Sequence, residues 1–591
     1  MRDLYQHLKR LVCLSGRQAG GQQPVADGNG VLLQKKNGIL QRWTRFFGTL
    51  LSTKSPTLNP DIIEQVVQRP ATRATRRLGA VRDVEVERVT KGLQKCKEPD
   101  NDSLPAELLN IDDDDEEPIV LDHLRAIMVE DWIGGEIPRE WKDATIKVLY
   151  KKGDRSNCNN FRGISLLCHV GSVPIKIITN RQAPSVKPTT SSRRNNADSD
   201  LGDRPSTCCS SVGIAEEMIA VIRQFHDRRR ARMRMDDGEI SAWFLITQGI
   251  WQGCVLSLLL FNIFFAAVIE VVAIRLSEDD VLLQNLVYLE EEMGTGARTP
   301  LNRVRRAGWG MLHADDAGVM SRSAEALARM MTVIMEVIGE FGLTVSEKTA
   351  TVQMRAKEKQ TTIPPPPPPP PLIIEAAGQR YTQTTELRYQ GGLVNEHGDL
   401  TQNINYRSGA AWACVRRYGQ ELFHRPRAPF RLKTRLLQAE AMKAMLYGCM
   451  TWAPRPDQCR TLRTIHHRLL LRDIGYQRNK GTYRQLPYAE TLKRVGCQRV
   501  ENTIRQRCLL FAGALARQPD GRLPKRVMPG ELVGRQGPGR AKPEENWQMC
   551  LKDVLKMLEA EHGSTDAEPC FNRSNENGLG GVVAYRGAPG S

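Results

Sequence analysis

Two adjacent carboxylates, Asp315 and Asp316, stand at the tip of an apolar run, Met311-Leu312-His313-Ala314, and small residues follow them (Ala317, Gly318, Val319). Neighbouring acids repel each other and an apolar wall disfavours both, so such a pair suits a bound cation. A short strand, a tip carrying two carboxylates and a second short strand read as a hairpin able to present oxygen ligands to Mg2+. The plainer reading is a turn that its aspartates cap and solvate.

Several other segments carry chemistry, and they come in a definite order. The first is Ile137-Pro138-Arg139-Glu140-Trp141-Lys142, leading to Val148-Leu149-Tyr150-Lys151-Lys152-Gly153-Asp154 and then Asn160-Phe161-Arg162-Gly163-Ile164-Ser165. The second is Gln248-Gly249-Ile250-Trp251-Gln252-Gly253-Cys254-Val255-Leu256-Ser257, and the third is the His-Ala-Asp-Asp box. The fourth is Gly342-Leu343-Thr344-Val345-Ser346-Glu347-Lys348-Thr349, and a weaker fifth is Leu387-Arg388-Tyr389-Gln390-Gly391-Gly392.

In order and spacing this series resembles the reverse transcriptases of non-LTR (LINE-like) retrotransposons, over roughly residues 30–560. Ser103-Leu104-Pro105-Ala106-Glu107-Leu108-Leu109 upstream and Leu446-Tyr447-Gly448-Cys449-Met450-Thr451-Trp452 downstream extend the match. The resemblance implies an α+β right-hand polymerase fold of fingers, palm and thumb, with a helical C-terminal region. It implies an RNA-directed DNA polymerase that uses Mg2+, an RNA template, a DNA primer and deoxynucleoside triphosphates.

On that plan Lys151, Lys152 and Arg162 would clamp the incoming triphosphate, arginine by a bidentate fork and lysine as a point charge. A solvated basic hairpin is the bland alternative. Gly249, Gln252 and Gly253 would let backbone approach nucleotide and template closely. Asp315 and Asp316 would hold the metal over the reacting oxygens, and Lys348 would give a proton to the departing pyrophosphate. A lone surface lysine remains the alternative for Lys348. The resemblance breaks at the first palm strand. The family's catalytic Asp there falls on Ser192, in a Ser/Arg/Asn-rich stretch without the apolar flanks of a buried strand. The palm sheet is therefore expected to be interrupted; loss of that aspartate would inactivate a two-metal polymerase, and the alternative expectation is a non-catalytic nucleic-acid-binding protein. His313, Leu258 and Gln390 depart from the family's Tyr, Pro and Leu.

The organisation expected from these readings is a basic N-terminal extension over 1–90, with a helical patch at Trp43, Phe46, Phe47 and Leu50. Fingers follow over 91–212, of which 182–212 is degenerate or disordered. The palm covers 213–400 with the polyproline run Pro364–Pro371 as an insert, a helical thumb or C-terminal nucleic-acid-binding region covers 401–560, and a disordered tail covers 561–591. The run would be a rod of about 25 Å able to engage an SH3-type partner, though a tolerated loop insertion reads more simply.

With 84 Lys+Arg against 67 Asp+Glu the formal charge is +17, which favours polyanions with salt-sensitive affinity. The 14 cysteines form no CxxC or zinc-ligand pattern and read as small buried hydrophobes in a reducing compartment. Residues 254–274 approach the length of a membrane span, but Asn262 and Glu270 interrupt them. They read as a core helix, so no membrane partner is expected. The N-terminus lacks a hydrophobic secretory core, and the location expected is nucleus or cytoplasm.

Overall fold

A computed structural model of the chain describes residues 24–52, 59–67, 81–93, 104, 106–109, 122–128, 137–151, 153–182, 208–209, 211, 213–247, 251, 253–287, 299–313, 316–345, 349–354, 373–425, 428–474, 486–518, 525, 547 and 551. The acidic block 112–117, the stretch 183–207, the polyproline run and the tail 561–591 lie outside them. Within them the chain is mixed α+β, dominated by helix with small sheets.

After a two-residue ladder of β1 (Val25–Ala26) and β2 (Leu32–Leu33), helix α1 spans Lys36–Leu50. Its buried residues are Ile39, Trp43 and Phe47, four apart, so one stripe faces inward. That stripe covers a four-stranded sheet of order β4-β3-β5-β6, built from β3 (Ala144–Tyr150), β4 (Phe161–Leu166), β5 (Arg230–Arg234) and β6 (Phe244–Leu245). β3 pairs antiparallel with β4 and parallel with β5, and β5 pairs antiparallel with β6. The face towards α1 carries Ala144, Ile146, Ala231 and Met233, all buried. Gly163 is required here: a Cβ would stand 2.6 Å from the Phe47 ring and 3.0 Å from Ile146.

Helices α2 (Asp83–Lys91), α3 (His169–Gln182) and α4 (Glu216–His226) lead to α5, Val255–Leu276. Thirteen of the 22 residues of α5 are buried, too many for one face, because α3, α7 (Pro300–Arg306) and α8 (Ala324–Glu340) pack around it; the short α6 (Asp280–Gln284) supports α7 and α8. Phe264 meets Phe341 edge-on with ring centroids 5.6 Å apart. The interrupting Glu270 has a partner, accepting a hydrogen bond from Arg305 of α7 at 3.2 Å. At the far end Arg275 grips Glu340 with two hydrogen bonds of 2.6 and 2.8 Å. Among the described residues α5 is the one helix long and apolar enough to cross a membrane, and most of it is buried within the protein. Cys208 and Cys209, at the end of the stretch read as degenerate, are buried in this same core, and burial pushes the Cys208 thiol up to about 12.

Three hairpins follow or flank this core: β7 (Gly310–His313) with β8 (Asp316–Val319), β9 (Ile373–Ala376) with β10 (Gln379–Thr382), and β11 (Glu386–Tyr389) with β12 (Gly392–Asn395). The β9–β10 hairpin lies on α8 through Ile374, Ala376 and Tyr381. The described residues that follow are mainly helical, including α9 (Leu400–Arg417), a π-helical turn Gly419–Phe423, α10 (Phe430–Leu436), α11 (Pro456–Ile474), α12 (Tyr488–Val495) and α13 (Val500–Ala516). Their shared core, from Ile404 to Cys508, is separate from the one around α5.

Candidate functional site

The Asp-Asp box forms the expected strand–turn–strand. His313 of β7 pairs with Asp316 of β8, and Ala314 and Asp315 between them lie outside the described residues. Asp316 is exposed beside the tip. Val319, at the other end of β8, packs against the core around α5 and anchors the hairpin. Among the described residues the hairpin has two strands and no third neighbour.

The β11–β12 hairpin clasps it. Tyr389 donates from its hydroxyl to the Met311 carbonyl at 3.1 Å, and its ring lies where a Cβ on Gly318 would be 3.5 Å away. The Gln390 amide nitrogen donates to Asp316 Oδ2 at 2.9 Å. Burial, and then the charge of Asp316, push the Tyr389 phenol up. The turn at the tip has φ of 50° at Gln390 and 74° at Gly391, as a tight hairpin of this kind needs. Glycine pays nothing for that geometry, but Gln390 does, at roughly 1 kcal/mol. The C-terminal helices hold the turn from behind. Tyr447 donates to the Gln390 carbonyl at 3.1 Å, and Arg407, buried on α9, donates to the Gly391 carbonyl. The Arg407 guanidinium lies 4.3 Å from the Tyr447 ring centroid. A continuous set of contacts thus runs from α9 to Asp316.

Lys151 and Arg162 sit on the β3–β4 hairpin. Lys151 is exposed just beyond β3, its backbone N–H donating to the Asn160 carbonyl at 2.8 Å. Gly153 has φ of 94°, and a Cβ there would meet the Asn160 amide at 2.8 Å, so the tip tolerates only glycine. Arg162 lies opposite Leu149 on the sheet face away from α1, and its buried Nε has no hydrogen-bond partner among the described residues. Gly253, φ 120°, would put a Cβ 3.1 Å from the Ser165 carbonyl of β4. The first two motifs therefore meet at this strand. Lys152, Gly249, Gln252 and Lys348 lie outside the described residues.

Sequence reading missed what shares the face with Arg162. Pairing places Lys147 beside Arg234 and Thr145 beside Arg232 on one side of the sheet. Arg230 and Arg232 both lie against the Trp243 ring, 5.0 and 4.7 Å from its centroid. Buried Asp143 anchors Arg230 with hydrogen bonds of 2.5 and 3.1 Å. The alternation Arg-Ala-Arg-Met-Arg over 230–234 was the available signal.

As a metal site the described donors are few. No group of three or more His, Cys, Asp or Glu converges among the described residues. At the hairpin they offer one carboxylate, already accepting an amide hydrogen bond, whereas Mg2+ takes about six oxygens. A two-ion site would need Asp315 and a further carboxylate besides. No protein-family model matches the chain, and no curated protein matches it.

Proposed function

We propose that the chain is a retrotransposon-derived protein of the non-LTR reverse-transcriptase type, a right-hand polymerase in plan, which binds an RNA template and a DNA primer. The observation that carries this is the clasp between the third and fifth motifs. They are 74 residues apart in sequence, yet Tyr389 and Gln390 close directly on Met311 and Asp316. The meeting of the first two motifs at β4 adds to it. On this reading the reaction is extension of a DNA 3′ end with deoxynucleoside triphosphates. Asp315 and Asp316 lie at the reacting end, Arg162 and Lys151 face the triphosphate, and the basic helices hold phosphate backbone.

Primer extension on an RNA template with Mg2+ or Mn2+ tests it. Incorporation by the wild-type chain that Asp315→Ala and Asp316→Ala each abolish is the expected result for a working polymerase. Absence of incorporation with either ion sinks the catalytic part. That the Asp316 hairpin has two strands among the described residues favours a second reading, a nucleic-acid-binding protein that has lost catalysis with the first palm strand. It predicts salt-dependent RNA or DNA binding that Asp316→Ala leaves unchanged, and it fails if no binding occurs at low salt.

A further inference from the structure

A half-open pocket of about 290 Å³ lies in the helical C-terminal region, away from Asp316, lined among others by Trp412, Arg416, Arg417, Gly419, His424 and Arg472. Its volume is near the lower end of the roughly 300–1,000 Å³ usual for small-ligand sites, enough for one nucleotide-sized group. Three separate pieces of chain build it. Trp412 and Arg416 lie four apart on the last turns of α9. The π-helical turn Gly419–Phe423 then redirects the chain, with the His424 N–H donating to the Gly419 carbonyl at 2.7 Å. Such turns are rare and collect at binding sites. Glycine at 419 lets the imidazole lie over the turn, since a Cβ would come within 3.2 Å of the ring.

Arg416 and Arg417 at a helix C-terminus complement the helix dipole, which by itself accounts for two arginines there. Arg472, in the last turn of α11, is placed the same way on its own helix; what neither helix explains by itself is that the fold brings it from 55 positions along the chain into the same pocket, where it donates to His424 Nε2 at 2.7 Å. Because a guanidinium can only donate, Nε2 is the acceptor of that bond. No carboxylate pairs with Arg416, Arg417 or Arg472 among the described residues. Three guanidinium charges outweigh the half-charges of the two helix ends, so the pocket attracts an anion, with an aromatic face at its wall.

We infer that this pocket is a phosphodiester subsite for single-stranded nucleic acid: Arg416, Arg417 and Arg472 hold one backbone phosphate and Trp412 stacks an adjoining base. The inference rests on the nucleic-acid-binding reading above and gives it a location. A free nucleotide offers the same phosphate and base, and the test separates the two sources.

The experiment is fluorescence anisotropy of a labelled single-stranded RNA with the full chain, between about 50 and 300 mM KCl. Arg417→Ala/Arg472→Ala is expected to weaken binding about tenfold and to reduce the salt slope by about 0.7, the value of one phosphate on a single strand. Trp412→Leu is expected to weaken binding about tenfold with the slope unchanged. Arg329→Ala, exposed on α8, is expected to bind as wild type. The substituted arginines are exposed and Trp412 is partly buried against the C-terminal core, so circular dichroism and thermal unfolding matching wild type show that each variant is folded. Wild-type affinity and slope in the double variant overturn the subsite and leave the nucleic-acid reading standing. No binding by the wild-type chain at the lowest salt overturns that reading, and the subsite with it. If adenosine monophosphate displaces the RNA as well as unlabelled RNA of equal phosphate concentration does, the pocket belongs to free nucleotide and the strand subsite is refuted.

Discussion

His466 makes the C-terminal helices sensitive to acid. It is 2% exposed on α11, between α12 and α13. The Val500 N–H donates to the Tyr488 hydroxyl at 3.1 Å, and the same hydroxyl is hydrogen-bonded to His466 Nδ1 at 2.7 Å. A charged imidazole at this depth would lose its hydration with one hydroxyl as its side-chain partner, so burial favours the neutral ring. Burial pushes the imidazole down from its ordinary 6.5 to about 4; the Glu501 charge opposes this and His467 adds to it. Because the folded value lies below the unfolded one, the linkage has a definite sign. Above about pH 6.5 the ring is neutral in both states and contributes no pH dependence. Between 6.5 and 4 the unfolded chain takes up a proton that the folded chain refuses, so stability falls as pH falls. At about 1.4 kcal/mol per pH unit, that window costs about 3 kcal/mol. Urea unfolding of wild type and His466→Gln, followed by circular dichroism at several values from pH 7 to 4.5, reads the difference, because the background carboxylates cancel. His466→Gln, whose amide can still pair with the Tyr488 hydroxyl, is expected to lose about 2.5 kcal/mol less stability over that range. A wild-type-minus-variant difference that does not change with pH would falsify the neutral buried imidazole.

Two further outcomes follow from the packing of the sheet. Gly163→Val forces a side chain against Phe47 and Ile146 and should lower stability by about 1–3 kcal/mol, as thermal unfolding would show; Phe47→Leu in the same chain should recover part of that loss, and no loss in the single variant would refute the close approach. Asp143→Ala leaves the half-buried Arg230 guanidinium without its partner and should cost roughly 3 kcal/mol, whereas Asp143→Asn, which can still accept, should cost less; equal losses in urea unfolding would refute the charge-pair account.

Elements whose partners lie nearby in sequence were legible. The Asp-Asp hairpin declared itself through a short apolar run, a polar tip and small residues, and β7 and β8 pair antiparallel on either side of that tip. The patch at Trp43, Phe46, Phe47 and Leu50 read as helix because its aromatic spacing suits a helical face, and α1 buries Trp43 and Phe47 on that face. Residues 254–274 read as a core helix in spite of their membrane-like length, and α5 is the hub of the largest core. Gln390, by contrast, registered only as a departure from a family pattern. Nothing local says that its amide reaches a carboxylate 74 positions away. Arg230, Arg232 and Arg234 alternate visibly, yet that they share a face with Lys147 depends on a parallel pairing no periodicity reveals.

The sequence alone thus determined the local conformations, the cationic character and the ordered motifs, because these follow from side-chain period, turn chemistry and formal charge. Tertiary structure decided which distant groups meet: Tyr389 and Gln390 on the Asp316 hairpin, Gly253 against β4, and Arg472 beside His424 at the end of α9. Each of those contacts closes a loop of tens of residues. The entropy lost in closing it is repaid by the packing of whole helices and sheets, which no short window of sequence encodes.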